Sequence, residues 1–223
     1  MYLEGVTMKK GILAAVVLAT ILVSGCEIGL GNQCDEKPVL YVYPEKNNTE
    51  VQLSLDYDGS LTTVYPAFTK ENCWEFTADK DGTITMGDRE YNYLFWEGED
   101  NRKTKIDTGY CVAKEDLVPF LEKELSELGL NDKEMDDFVT YWLPRLSQNK
   151  YNLISFDSTE YVDVAKLQIK PAPDTLIRVF MTYKGVDKQI EIAAPDKART
   201  PERKGFTIVE WGGVYETFSV NKE

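Results

Sequence analysis

The chain has 223 residues, a formal net charge of −13 and no histidine. Without imidazole, Ser–His–Asp and Cys–His catalysis and His-ligated zinc are excluded, and any acid–base work falls to carboxylates, lysine or tyrosine. The acidity excludes a nucleic-acid role, because like charge repels the phosphate backbone.

In chain order, Met8-Lys9-Lys10 is a short basic start, Gly11 to Val23 is an apolar run without charge, and Ser24-Gly25 are small. Charged, then apolar, then small is the layout of a secretory signal. The apolar run is shorter than the ~20 residues that span a membrane comfortably. Leu22-Val23-Ser24-Gly25-Cys26 resembles the bacterial lipobox. That resemblance implies cleavage before Cys26 and lipid (palmitate among the acyl groups) on its sulfur. The position of the basic start makes Met8 the expected true start. Residues 1–25 are then the signal peptide and residues 26–36 a lipidated tether. The expected location is extracytoplasmic, lipid-anchored to the cell membrane or outer membrane. The remaining cysteines, Cys34, Cys73 and Cys111, are odd in number. Cys73 and Cys111 lie in expected strands and could face each other, but the sequence leaves any pairing open. The spacings lack a C-x₂-C pair, so no thiolate metal site is expected.

The body is expected to be one domain over 37–223. Lys37 to Pro44 has the β-branched and aromatic content of a strand. Val51, Leu53, Leu55 and Tyr57 alternate with polar residues, which marks a half-buried strand. Asp58-Gly59 is a hairpin signal leading into Leu61 to Tyr65. Strands at Cys73 to Ala78, Thr83 to Met86 and Tyr91 to Trp96 follow, separated by Asp/Gly turns. Leu117, Phe120, Leu121, Leu125 and Leu128 then form one helical face, with Pro119 in the first turn and Gly129 as the cap. Asn131 and Glu134 match a capping box for a second helix, which Pro144 is expected to end. Strand signals return at Asn152 to Phe156, Lys166 to Lys170, Leu176 to Tyr183, Gln189 to Ile192 and Phe206 to Trp211. Strands, two helices and strands again predict an α+β fold: an antiparallel β-sheet or sandwich with an inserted helical hairpin at about 116–144. Its parts are a β-rich 37–113, the hairpin region 114–146 and a β-rich 150–223.

Four segments carry a wider resemblance: Lys37 to Pro44, Tyr91 to Gly98, Tyr141 to Arg145 and Gly205 to Gly213. They look like a widespread group of prokaryotic proteins of unknown function that open on a K-P-V-I-Y-L-Y-P-like segment and end on a V-E-W-G-G-like one. The resemblance implies a single domain and carries over no catalytic residue. Cys73 and Cys111 depart from the group's Gly and aromatic.

Trp96-Glu97-Gly98 and Glu210-Trp211-Gly212-Gly213 each join an indole to a carboxylate. Two carboxylates at matched distance can hydrolyse a glycoside, so Glu97 and Glu210 are the candidate catalytic pair. Trp96, Trp211, Tyr41 and Tyr43 are candidate binding aromatics; the competing reading puts all four in the core. Asp79, Asp81 and Gly82 resemble a fragment of a calcium loop, but the residues after them read as a strand. Asp132, Glu134, Asp136 and Asp137 suit the dipole at a helix start. Arg145 and Arg178 are expected to pair with core carboxylates. No metal and no cofactor are expected. The preferred function is a non-catalytic binding or structural module tethered to the membrane through lipid on Cys26, its partner an envelope protein or glycan. The alternatives are a carboxylate-dependent glycan hydrolase and a scaffold or assembly subunit of an envelope complex.

Overall fold

A computed structural model describes residues 33–196 and 202–216. Cys26 and the expected signal peptide lie outside the described residues. Twelve strands and three helices follow in the order β1 (Gln33–Tyr43), β2 (Thr49–Tyr57), β3 (Ser60–Tyr65), β4 (Cys73–Ala78), β5 (Ile84–Met86), β6 (Arg89–Tyr91), β7 (Leu94–Asp100), β8 (Tyr110–Ala113), α1 (Leu117–Glu127), α2 (Asp132–Leu146), β9 (Tyr151–Ser155), α3 (Thr159–Val164), β10 (Ala165–Lys170), β11 (Thr175–Val186) and β12 (Thr207–Tyr215). The fold is α+β, as expected, with two sheets and a helical hairpin.

A seven-stranded sheet runs β3-β7-β1-β12-β11-β9-β8, and a five-stranded sheet runs β10-β2-β4-β5-β6. All pairings are antiparallel except β11 with β12. Side chains of a strand alternate between faces, and the larger sheet uses both. Val39, Tyr41, Val179, Met181, Val209 and Trp211 pack on α1 and α2 through Leu117, Leu121, Phe138 and Trp142. Leu40, Val42, Leu94, Trp96, Phe180 and Ile208 pack on the smaller sheet through Val51, Leu53, Leu55, Trp74 and Phe76. The result is three layers: helices, large sheet, small sheet. It explains why Val39 to Tyr43 carries no charged residue on either face, since a strand covered on both faces needs no wet side.

Several boundaries differ from expectation for local reasons. β1 begins at Gln33, inside the expected tether, because Asp35 is fully buried against Arg102 and Cys34 pairs with Glu99 of β7. Asp58-Gly59 does not close a hairpin: β2 lies in the small sheet and β3 pairs with β7 in the large one. A Cβ at Gly59 would sit 2.4 Å from Glu99 O, so the chain crosses between sheets where only glycine fits. Asn131 and Glu134 do form the capping box, and Gly129 has a φ of 91°. Pro144 does not end α2; the helix runs two residues further, to Leu146, which is buried. Gln189 to Ile192 is not a strand, and α3 occupies a stretch for which no helix was expected. Cys73 and Cys111 are free thiols on different sheets, so they do not bridge.

Gly213 of β12 lies close under Trp142 of α2. A Cβ there would lie 2.7 Å from Met181 O and 2.8 Å from Trp142 Cζ2. Gly213→Ala is therefore expected to destabilise the fold by about 1–3 kcal/mol through overpacking. Urea denaturation of the two proteins measures this directly; unchanged midpoints would show that α2 yields freely.

Candidate functional site

The two candidate catalytic carboxylates do not meet. Leu40 of β1 lies beside both Glu210 and Leu94, which puts Glu210 on the face toward the small sheet. Trp96 shares that face; Glu97, its neighbour in the strand, points to the helical face. A glycosidase pair must flank one bond from a common cleft. Here a seven-stranded sheet separates the two groups.

Glu210 is fully buried and bonded into the core. Arg178 Nε donates to Glu210 Oε2 at 2.5 Å, and Trp96 Nε1 donates to Glu210 Oε1 at 3.3 Å. The two charges are register partners across the parallel β11–β12 pairing, so the sheet itself places them side by side. The Arg178 guanidinium lies 4.7 Å from the centroid of the Tyr161 ring of α3. Burial pushes the Tyr161 phenol well above its ordinary pKa, and the Glu210 charge adds to the rise. The expected ion pair of Arg178 with a core carboxylate is thus present, and Glu210 is its other half. Arg145 pairs more loosely with Glu36, at 3.5 Å, and lies 3.8 Å over the Tyr141 ring.

The candidate binding aromatics are mostly interior. Trp96, Trp211 and Tyr41 have no exposed surface, so they offer no face to a ligand and serve the core. Tyr41 Oη donates to Asp137 Oδ2 at 2.8 Å, which ties the large sheet to α2. Tyr43 is half-buried, with its ring under Gly82 and beside Arg203. At the acidic start of α2, Glu134 is buried and pairs with Arg203 and Asp137 accepts from Tyr41, while Asp132 and Asp136 are exposed. The Asp79–Gly82 segment is a hairpin turn whose carboxylates accept from Asn48 N and Thr83 N. Among the described residues no cluster of His, Cys, Asp or Glu is arranged to hold a metal ion.

A second buried charge cluster went unread in the sequence. Arg102 donates to both Asp35 and Asp100, its Nε reaching Asp100 Oδ2 at 2.8 Å. The Tyr57 hydroxyl lies within hydrogen-bond reach of both carboxylates, 3.1 Å from Asp35 Oδ2 and 3.0 Å from Asp100 Oδ2, which share its one proton. Two acids thus share one guanidinium. Burial pushes the Asp35 carboxyl up to about 7, with Arg102 opposing the rise and the Asp100 charge adding to it.

An accessible groove of about 1010 Å³ lies on the flank of the large sheet. β9 pairs with β11 only along Thr182 to Val186 and then turns away at Phe156. From Thr175 to Met181, β11 has β12 on one side and no described strand on the other. The exposed edge is walled by the end of α1 (Glu124, Leu128) on the helical side and by α3 (Val162) on the other. Ser158 spans part of it: its Oγ donates to Arg178 O at 3.2 Å and accepts from Phe180 N at 3.1 Å. None of Glu97, Glu210, Trp96, Trp211, Tyr41 and Tyr43 lines this groove. The signal that could have found it is the Phe156-Asp157-Ser158 break after a strand, next to a strand longer than its neighbour.

Fold and groove together define a three-layer α+β module whose middle sheet keeps an open edge. The chain is 43% identical over 91 residues to a protein of Butyrivibrio fibrisolvens described as "Uncharacterized protein in bglA 3'region"; the match spans 40% of this chain and 93% of that protein. The chain belongs to the family of that protein. No family model matches it, and no solved structure does.

Two outcomes follow from the buried charges. Arg178→Met strands the Glu210 carboxylate in the core and is expected to cost about 3–5 kcal/mol; adding Glu210→Leu should recover more than half of that in equilibrium unfolding. A double variant as unstable as the single one would contradict the pairing. For Asp35, the folded pKa exceeds the unfolded value of 3.8, so the folded state holds the extra proton between these values. The stabilisation is full below the unfolded pKa and is lost as pH rises toward about 7. Asp35→Asn should flatten this decline by a few kcal/mol across the window, read as the difference in unfolding free energy between pH 4 and pH 8. Identical slopes in the two proteins would rule out the shift.

Proposed function

We propose that this protein is an envelope lipoprotein, anchored through lipid on Cys26, that acts as a non-catalytic binding module. The observation that carries the binding reading is the groove. It is a broad recess that joins apolar side chains such as Leu128, Phe156 and Val162 to carboxylates, a mixture typical of recognition surfaces. Its serine is spent on the backbone of β11, and the carboxylates first suspected of catalysis lie elsewhere. Support for the anchor is the Leu22-Val23-Ser24-Gly25-Cys26 segment with its basic and apolar approach. With β1 starting at Gln33, six residues separate the cysteine from the first strand. Even fully extended they reach only about 20 Å, so the groove would work close to the bilayer.

The test combines address and binding. In cells producing the full chain, labelled palmitate should enter the wild type and not Cys26→Ser, and only the wild type should sediment with membranes. Pull-down from native envelope should retain the same partner with both forms. Absence of label and sedimentation from the wild type would refute the anchor. A partner that needs the lipid would refute recognition by the domain.

A further inference from the structure

The open edge of β11 has a definite chemistry. Ser158 Oγ reaches Arg178 O and Phe180 N, so the backbone groups of the even-numbered residues point out of the sheet there. A residue's N–H and C=O point to the same side of a strand. The N–H and C=O of Leu176 and the N–H of Arg178 therefore face the groove as well, and no described strand takes them up. An edge of this kind is a template for another strand.

Charge narrows the choice of strand. The groove is lined by Glu124, Glu127, Asp157 and Asp196; Lys123 lies loosely by the first two, at 3.9 Å and 4.0 Å, and Tyr110 donates to Glu124. The cation at its floor, Arg178, is already matched by Glu210. Leu176, at 39% exposure, adds an apolar contact beside the outward-facing backbone. The walls, α1 on one side and α3 on the other, leave a slot level with the large sheet.

We propose that the groove binds an extended segment of another protein, which adds to the edge of β11 as a strand and carries Lys or Arg at alternate positions. Main-chain hydrogen bonds to Leu176 and Arg178 supply the register; the acidic walls select basic side chains. The open groups run from Leu176 N to Arg178 N, about three residues or about 10 Å of strand, and the added strand ends where Ser158 takes Arg178 O and Phe180 N. This inference rests on the binding-module reading and gives that reading a site and a partner class.

The probe is a capped synthetic peptide, Thr-Lys-Val-Lys-Thr-Lys-Val, titrated against the full chain in detergent. Two controls are the same peptide with glutamate for lysine and the same peptide with alternate backbone nitrogens methylated. The basic peptide is expected to bind at least tenfold more tightly than either control, and to slow amide exchange at Leu176 and Arg178. Leu176→Lys, a change at an exposed position, is expected to weaken the basic peptide by tenfold or more while leaving thermal unfolding unchanged. Failure of all three peptides to bind, equal binding of the methylated peptide, or binding without protection of β11 would each overturn the proposal. If Leu176→Lys still retains an envelope partner in the pull-down, the groove is wrong and the binding-module reading survives. If wild type retains none, the broader reading fails with it.

Discussion

The Arg178–Glu210 pair sits where the two central strands of the large sheet run parallel. β12 is buried along nearly its whole length, helices on one face and the small sheet on the other. A carboxylate in such a strand is tolerable only when a cation is held against it. The register supplies that cation from β11, and the Trp96 indole supplies a further donor from β7. One interaction thus links three strands and the small-sheet side of the core. It also explains why a sequence rich in strand-end carboxylates can look catalytic: Glu210 needs partners because it is buried, and its partners keep it from reacting.

The same logic operates at the start of the body. Asp35 and Asp100 share Arg102 and the Tyr57 hydroxyl, which fastens the first strand to β7 and to the small sheet through Tyr57. Arg102 and Arg178 both lie over Tyr161, at 5.7 Å and 4.7 Å, so the two charge clusters converge on one buried ring. The large sheet is continuous through β12 and β11 and then thins where β9 leaves, which is what opens the groove. Function is therefore sought at the edge left by the packing rather than at the charges buried within it.

Local physics was legible in the sequence. The capping box of Asn131 and Glu134, the glycine after α1 and the alternation of Val51, Leu53 and Leu55 all rest on contacts within a few residues. What escaped depends on residues far apart. Asp58-Gly59 carries the signature of a hairpin, but whether a turn returns to its own strand or crosses to a second sheet is decided by β7, more than thirty residues on. The indole–glutamate segments lie close to the strand register that buries them, yet nothing local says that Glu97 and Glu210 fall on opposite faces. Asp35 read as tether because its counter-ion, Arg102, is 67 residues away. The groove was missed for the same reason: the break at Phe156-Asp157-Ser158 is local, but which strand it leaves unpaired is decided by β11, some twenty residues on.

The proposed recognition at the β11 edge leaves the buried carboxylates a structural role. Site-specific photo-crosslinking in native envelope tests it most directly. A photoreactive phenylalanine analogue at Leu176 is compared with the same group at Tyr65, an exposed position on β3 at the other end of the large sheet. A discrete crosslinked protein is expected from position 176 and none from position 65. Crosslinking from position 65 alone would place recognition on the far edge and contradict the proposal.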